Sequence, residues 1–138
     1  GEVDIIDLVF FEDVGKIVNP LILKGQAVGA IVQGLGGALL EHAIYDANAQ
    51  LVTGTLADYL VPLSCNFPNI RVYMQEEKPS PISPLGTKGG GEGGILPMGG
   101  LIANGVSSAL SSLSCEPVVL PLTPTYVLGM IKQAQDCK

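Results

Sequence analysis

Residues 25–43 read Gly-Gln-Ala-Val-Gly-Ala-Ile-Val-Gln-Gly-Leu-Gly-Gly-Ala-Leu-Leu-Glu-His-Ala, and how this stretch folds decides the architecture. Val28, Ile31, Val32, Leu35 and Leu39 recur at three- and four-residue steps, the spacing of one helical face, which predicts a helix between Gly25 and Ala43. It carries Gly29, Gly34, Gly36 and Gly37, and each glycine in a helix interior costs about 0.5–1 kcal/mol relative to alanine. Two explanations compete for what offsets that cost. Ala30, Gly34, Gly37 and Ala38 form a smooth stripe against which another element packs closely, or backbone groups are left open to a ligand. Packing is the default.

On the N-terminal side, Glu2 to Val14 (EVDIIDLVFFEDV) is rich in Val, Ile and Phe with acids interleaved, which predicts a mostly buried strand ended by Gly15 and Asn19-Pro20. On the C-terminal side, Tyr45, Leu51-Val52-Thr53 and Ile70 to Met74 read as short strands separated by turn formers such as Asp46, Asn48 and Gly54. From Lys78 to Gly100 the composition shifts to Pro, Gly and Ser, giving a long loop of a kind that is usually functional or disordered. Ile102, Val106, Ala109, Leu110 and Leu113 then follow helical spacing, with Pro97 placed for a first turn. Thr123-Pro124 is a cap and first-position pair for a last helix through Val127, Leu128, Met130 and Ile131. The expected class is α+β, a mixed sheet with packed helices, folded as one unit over residues 1–138.

The length of 138 residues supports one core. Hydrophobic residues make up 47% and charged residues 14%, so much of the surface should be covered, by the chain's own fold or by neighbouring chains. A net charge of −6 with only seven scattered Lys and Arg argues against a nucleic-acid binder, which needs clustered cations. Cys65, Cys115 and Cys137 form no CxxC pair, so they read as reduced thiols of a cytoplasmic protein and not as zinc or iron–sulfur ligands. Lys24, Gln26 and Gln33 interrupt the longest apolar run before it reaches membrane-spanning length. Gly1 opens the chain in place of Met, which suggests a cleaved or partial polypeptide. His42 lacks the second His or paired Cys of a metal site, so a partly buried structural role is expected. Glu41, Asp46 and Asp58 are too irregularly spaced for a metal cluster and read as solvated or capping acids; Tyr45, Tyr59 and Tyr73 read as core or interface aromatics.

Lys88-Gly89-Gly90-Gly91-Glu92-Gly93-Gly94 is the least ordinary segment. Consecutive glycines permit positive φ and bring backbone N–H groups close to a ligand, while a following helix start favours an anion. Lys88 precedes the glycines and no Lys-Ser or Lys-Thr pair follows them, so the segment is not a Walker A loop. A flexible surface loop accounts for the same composition. Glu92 stands alone among the glycines, either as a solvated acid or, if shielded from water on a fixed backbone, as a general base.

These residues carry a resemblance to the molybdopterin-binding large subunit of the xanthine dehydrogenase, aldehyde oxidase and carbon monoxide dehydrogenase family of molybdenum hydroxylases. It runs in order through Asp13-Val14-Gly15, Asn19-Pro20, Gly25-Gln26, Gln33-Gly34-Leu35-Gly36, Ala38, Leu39, Glu41, Tyr45-Asp46, Asp58-Tyr59, Pro62, Pro68, Leu85-Gly86, Lys88-Gly89, Gly91-Glu92, Ala103-Asn104 and Leu120 to Pro124. Each piece is weak alone, but their order and spacing together are specific.

The resemblance implies that the chain is the C-terminal portion of the molybdopterin-binding domain. Glu92 then matches the family's active-site glutamate, which takes the proton of a molybdenum-bound hydroxyl. Gly25 and Gln26 match the pair beside the pterin, and Lys88, Gly89, Gly90 and Gly91 match the loop that approaches the cofactor, with Gly90 permissive. No residue here is a metal ligand. The cofactor is molybdenum-molybdopterin, with or without a cytosine dinucleotide, and 2Fe-2S and FAD lie on partner domains or subunits. The implied reaction is oxidative hydroxylation of an N-heterocycle or aldehyde. Gly93-Gly94-Ile95-Leu96 departs from the commoner continuation after the Glu, which leaves the substrate class open. The rival reading is a non-redox nucleotide- or phosphate-binding module built on the glycine loop; a purely structural subunit ranks behind it.

Overall fold

The computed structural model describes residues 1–67 and 69–136, so Pro68 and the third thiol, Cys137, lie outside the described residues. Helix α1 spans Pro20–Leu39, five residues earlier at its start and four at its end than hydrophobic periodicity suggests. Its start is set locally. The Asn19 side chain accepts a hydrogen bond from the Ile22 N–H at 3.1 Å and Pro20 takes the first turn, so the pair that looked like a strand terminator is a helix cap. The end is also local: the Leu40 and Glu41 N–H groups both donate to the Gly36 carbonyl, at 2.8 and 2.9 Å.

Strands β1 (Leu8–Asp13) and β2 (Ile70–Gln75) pair in parallel, Leu8 opposite Ile70 and Asp13 opposite Gln75. Parallel neighbours require a crossover, and α1 lies within it. Pairing has corrected two expectations. The strand expected over residues 2–14 has a ladder partner only over Leu8–Asp13, and Tyr45 with Leu51 forms a single antiparallel bridge in place of two strands. The sheet among the described residues is therefore two-stranded and parallel, not mixed.

The alternation of strand side chains puts Leu8, Phe10 and Glu12 on one face of β1 and Val9 and Phe11 on the other. Leu8 is buried and Phe10 packs against the core, while Phe11 is exposed and stacks on Tyr73 at 4.9 Å between ring centroids. Tyr73 and Tyr45 are thus surface residues in this chain, not core, and His42 is exposed where partial burial was expected. Helices α2 (Met98–Ala109) and α3 (Pro124–Asp136) complete the core with Met98, Ile102, Val106 and Val127 around the fully buried Ile31 and Leu35 of α1. The Thr123 side chain caps α3, accepting from the Tyr126 N–H at 3.3 Å.

The glycines of α1 divide into two sets. A Cβ on Gly34 would lie 2.7 Å from the Met98 Cβ and 3.0 Å from the Ile95 carbonyl oxygen, so its helix cost is offset by close approach of the segment that opens α2. Gly25, Gly29 and Gly37 would meet nothing within 4 Å. Gly37 therefore leaves the packing stripe to Ala30, Gly34 and Ala38, which are buried.

Ile6, Val18, Leu21, Leu56, Ile82, Leu96 and Val118 are each more than three-quarters exposed, and both edges of the two-stranded sheet lack a further strand among the described residues. Such a surface associates in water. The chain expressed alone is expected to aggregate or to melt without a cooperative transition. A monodisperse, cooperatively melting monomer in size-exclusion chromatography and calorimetry would contradict this.

Candidate functional site

The site begins where β1 ends. Gly15 turns the chain at φ +63°, a left-handed conformation that costs a residue with a Cβ dearly, and a Cβ there would overlap the Gly86 carbonyl oxygen. Gly15 bridges antiparallel to Thr87; the Lys88 N–H donates to the Val14 carbonyl at 2.9 Å, and the Lys16 N–H to the Gly86 carbonyl at 3.0 Å. The entry to the glycine loop is thereby knitted to the exit of the strand.

Asp13 is the pin of this junction. Its Oδ1 accepts from the Gly15 N–H at 3.0 Å and from Lys88 Nζ at 3.2 Å, and its Oδ2 accepts from the Lys78 N–H at 2.8 Å. The Gly15 N–H holds the carboxyl below the ordinary carboxylate range; desolvation opposes this, and Lys88 and the Lys78 N–H reinforce it. A depressed folded-state pKa gives stability that is complete above the ordinary carboxylate range and is lost as pH falls through the lower folded value. Asp13→Asn is therefore expected to lower the melting temperature of the assembled protein at neutral pH and to converge with wild type in strong acid. A constant difference from neutral to acid pH, read by thermal melting, would contradict this.

Opposite the loop stands the start of α1. Val14, Gln26, Thr87, Lys88, Gly90 and Gly91 line one cavity of about 480 Å³, so residues more than sixty positions apart in the chain face the same space. Gln26 Nε2 lies 3.8 Å from where a Gly91 Cβ would sit. A Cβ on Gly90 would come within 2.6 Å of Leu23 Cδ1 and 3.2 Å of Val14 Cγ1, so a side chain there fits only if Leu23 moves. Gly25 and Gly89 adjoin these residues in sequence but do not line the cavity, and each has open space where a side chain would be.

Glu92 follows the glycines in a turn in which the Ile95 N–H donates to the Glu92 carbonyl at 3.1 Å. Its side chain is exposed and lies outside the cavity lining, so this chain by itself does not shield it from water. The turn is nonetheless anchored. A Cβ on Gly94 would come within 2.8 Å of the Ala27 carbonyl oxygen and 2.9 Å of the Ile31 N, which is backbone-to-backbone contact with α1.

Glu12 is the residue that the sequence did not single out. It lies on the inward face of β1, a Cβ on Gly93 would overlap its Oε1, and its Oε2 is buried without a hydrogen-bond partner among the described residues. Burial pushes its carboxyl above the ordinary value. The signal was parity, because residue 12 shares a strand face with Leu8 and Phe10.

The remaining acids have local roles. Glu41 accepts from the Tyr59 hydroxyl at 2.7 Å, Asp46 accepts from the Asn48 and Gln50 N–H groups at 2.8 and 2.9 Å, and Asp58 accepts from the Thr55 hydroxyl at 2.8 Å. Among the described residues no three His, Cys, Asp or Glu side chains gather as a metal site. No helix of the described residues is long and apolar enough to cross a membrane. A second cavity, about 540 Å³, runs between residues 1–7 and helices α2 and α3, away from the glycine loop and lined largely by aliphatic side chains.

A pterin needs a small-molecule-sized cavity, an amide or backbone edge for its donors and acceptors, and room for close backbone approach. The cavity volume falls in the range of ligand sites, about 300–1,000 Å³. Gln26 supplies an amide that both donates and accepts, and Gly90 and Gly91 present backbone without side chains. The residues fit the group.

The crystal structure of quinoline 2-oxidoreductase from Pseudomonas putida 86 is similar over 91% of this chain and 16% of that one, with a TM-score of 0.86 and 39% identity. Cu,Mo-CO dehydrogenase shares the fold, with a TM-score of 0.86 over 92% of this chain and 16% of that one, at 23% identity. The architecture is that of a segment of a molybdenum-hydroxylase large subunit. A family model described as a molybdopterin cofactor-binding domain matches residues 1–68. The 6-hydroxypseudooxynicotine dehydrogenase complex subunit gamma of Paenarthrobacter nicotinovorans is 38% identical over 117 residues, 85% of this chain and 15% of that protein. The aldehyde oxidoreductase molybdenum-binding subunit of Escherichia coli (strain K12) is 33% identical over 110 residues, 79% of this chain and 15% of that protein. The chain belongs to the xanthine dehydrogenase family of molybdenum-dependent oxidoreductases and matches part of the molybdenum-binding subunit. It spans about 15% of the length of these relatives.

Proposed function

We propose that the chain is the C-terminal portion, a single unit over residues 1–138, of the molybdopterin-binding subunit of a molybdenum hydroxylase. Its proposed reaction is oxidative hydroxylation of an N-heterocycle or an aldehyde with oxygen derived from water. The observation that carries this reading is the convergence of Gln26, Lys88, Gly90 and Gly91 on one cavity in a chain of this family.

When bound, molybdenum-molybdopterin supplies the two-electron redox change and the activation of water. This chain supplies the rest of the local chemistry. The Gln26 amide donates to and accepts from the polar edge of the cofactor, and Gly25 precedes it in the second turn of α1 without lining the cavity. The Lys88–Gly91 backbone, bare of side chains at its three glycines, approaches the cofactor closely. Glu92 takes up the proton released at the reacting oxygen, its carboxylate oxygen being the acceptor. The rest of the subunit excludes water from Glu92, because a solvated carboxylate is a poorer base than one in a dry site.

Electrons leave to 2Fe-2S and FAD on partner domains or subunits in a cytoplasmic complex. The subunit names of the relatives support a hetero-oligomer. The pterin is either the cytosine dinucleotide form or lacks the nucleotide. Purification of the native complex tests the reading. It should hold molybdenum near one per large subunit together with pterin, iron and flavin, and should oxidise at least one of quinoline, nicotine and benzaldehyde. A complex with stoichiometric phosphate or nucleotide and neither molybdenum nor pterin would establish the non-redox reading instead.

A further inference from the structure

Glu12 occupies an inward-facing strand position that the rest of β1 fills with Leu8 and Phe10. An aliphatic side chain there would satisfy the core. The carboxyl instead leaves Oε2 buried without a partner among the described residues, a burden on folding that no bond in the described fold offsets. Residues that burden the fold in this way are concentrated where function needs them. The placement is specific: Oε1 occupies the space that a Gly93 side chain would take, directly after Glu92. The next residue, Asp13, grips the other end of the same loop through Lys88 and Gly15. Two consecutive acids at the strand end thus bracket the glycine loop, Asp13 at its start and Glu12 at its far end.

We propose that Glu12 is a positioning residue for Glu92, its carboxyl acting as a buttress that fixes Gly93 and so fixes where the Glu92 side chain begins. This rests on the reading of Glu92 as the base. Gly94 is held from the other side by the α1 backbone, so the carboxyl and the helix clamp two successive glycines whose own torsional freedom is large. Shape, not charge, does the positioning: the side chain fills the space beside Gly93. Gln therefore substitutes for Glu12, and Ala does not.

The test compares wild-type, Glu12→Gln, Glu12→Ala, Gly93→Ala and Glu12→Ala/Gly93→Ala holo complexes at equal molybdenum content. Amide hydrogen exchange of the 89–96 segment reports the buttress directly. Steady-state oxidation of quinoline or benzaldehyde reports its consequence. Glu12→Ala should speed exchange of that segment about tenfold or more and lower kcat by a similar factor with KM little changed, and Glu12→Gln should stay within about threefold of wild type in both. Gly93→Ala evicts the carboxyl, so it should reproduce Glu12→Ala, and the double variant should be no worse than either single one. Wild-type exchange in Glu12→Ala, or additive losses in the double variant, would overturn the proposal. Glu92→Gln in the same series separates the two ideas. If it retains full turnover the base reading fails, while the exchange data still decide whether Glu12 holds the loop.

Discussion

Glu92→Gln, in complexes matched for molybdenum content, is expected to lower turnover by about 10²–10⁴-fold, the range for a lost general base. Gln keeps the shape and most of the hydrogen-bonding capacity of Glu, but it cannot accept a proton at neutral pH. The loss corresponds to about 3–5.5 kcal/mol of transition-state stabilisation. Cofactor content should survive, because Glu92 lies outside the cavity lining and the turn that carries it is held by its own Ile95 hydrogen bond and by the contact of Gly94 with α1. The measurement is substrate-dependent reduction of the molybdenum centre in wild-type and variant complexes. Near-normal reduction would remove Glu92 from the mechanism, and loss of molybdenum would make it a residue that supports the site instead.

Ile31→Ala should destabilise the assembled subunit by about 2–5 kcal/mol, the range for emptying a fully buried aliphatic site. Ile31 is wholly inaccessible, lies in the central cluster with Leu35 and Met98, and packs where a Gly94 Cβ would come within 2.9 Å of its Cγ1. The cavity left behind opens under the turn that carries Glu92. Stability and loop order should therefore fall together, in contrast to a surface change such as Leu96→Ala, which alters an exposed side chain. Denaturant unfolding of the holo complex measures the first, and hydrogen exchange over residues 89–96 the second. A loss below about 1 kcal/mol would show that the α1 core does not carry this part of the fold.

Helical elements were legible because their signals are local. The periodic Val28, Ile31, Val32, Leu35 and Leu39, the Pro97 first turn and the Thr123-Pro124 cap each place a helix without reference to the rest of the chain. Strand extent was not legible. Residues 2–7 are as strand-like in composition as Leu8–Asp13, but only the latter have Ile70–Gln75 opposite them, and pairing is a tertiary fact. The glycine loop was recognisable as exceptional, whereas its convergence with Gln26 depends on the crossover that carries α1 back to the strand end. Exposure of Glu92 was hidden for the same reason. An acid among glycines looks the same in sequence whether or not other atoms cover it. Glu12 was overlooked because a carboxylate in a strand suggests solvent, although its parity with Leu8 and Phe10 pointed inward.

The most direct test of the central claim is an experimental structure of the assembled subunit with its cofactor bound. The account predicts that the pterin occupies the cavity bounded by Gln26, Lys88, Gly90 and Gly91, and that the Glu92 carboxylate is enclosed by the rest of the subunit on the metal side. A cofactor seated elsewhere, with this cavity open to solvent and Glu92 facing away from the metal, would contradict it.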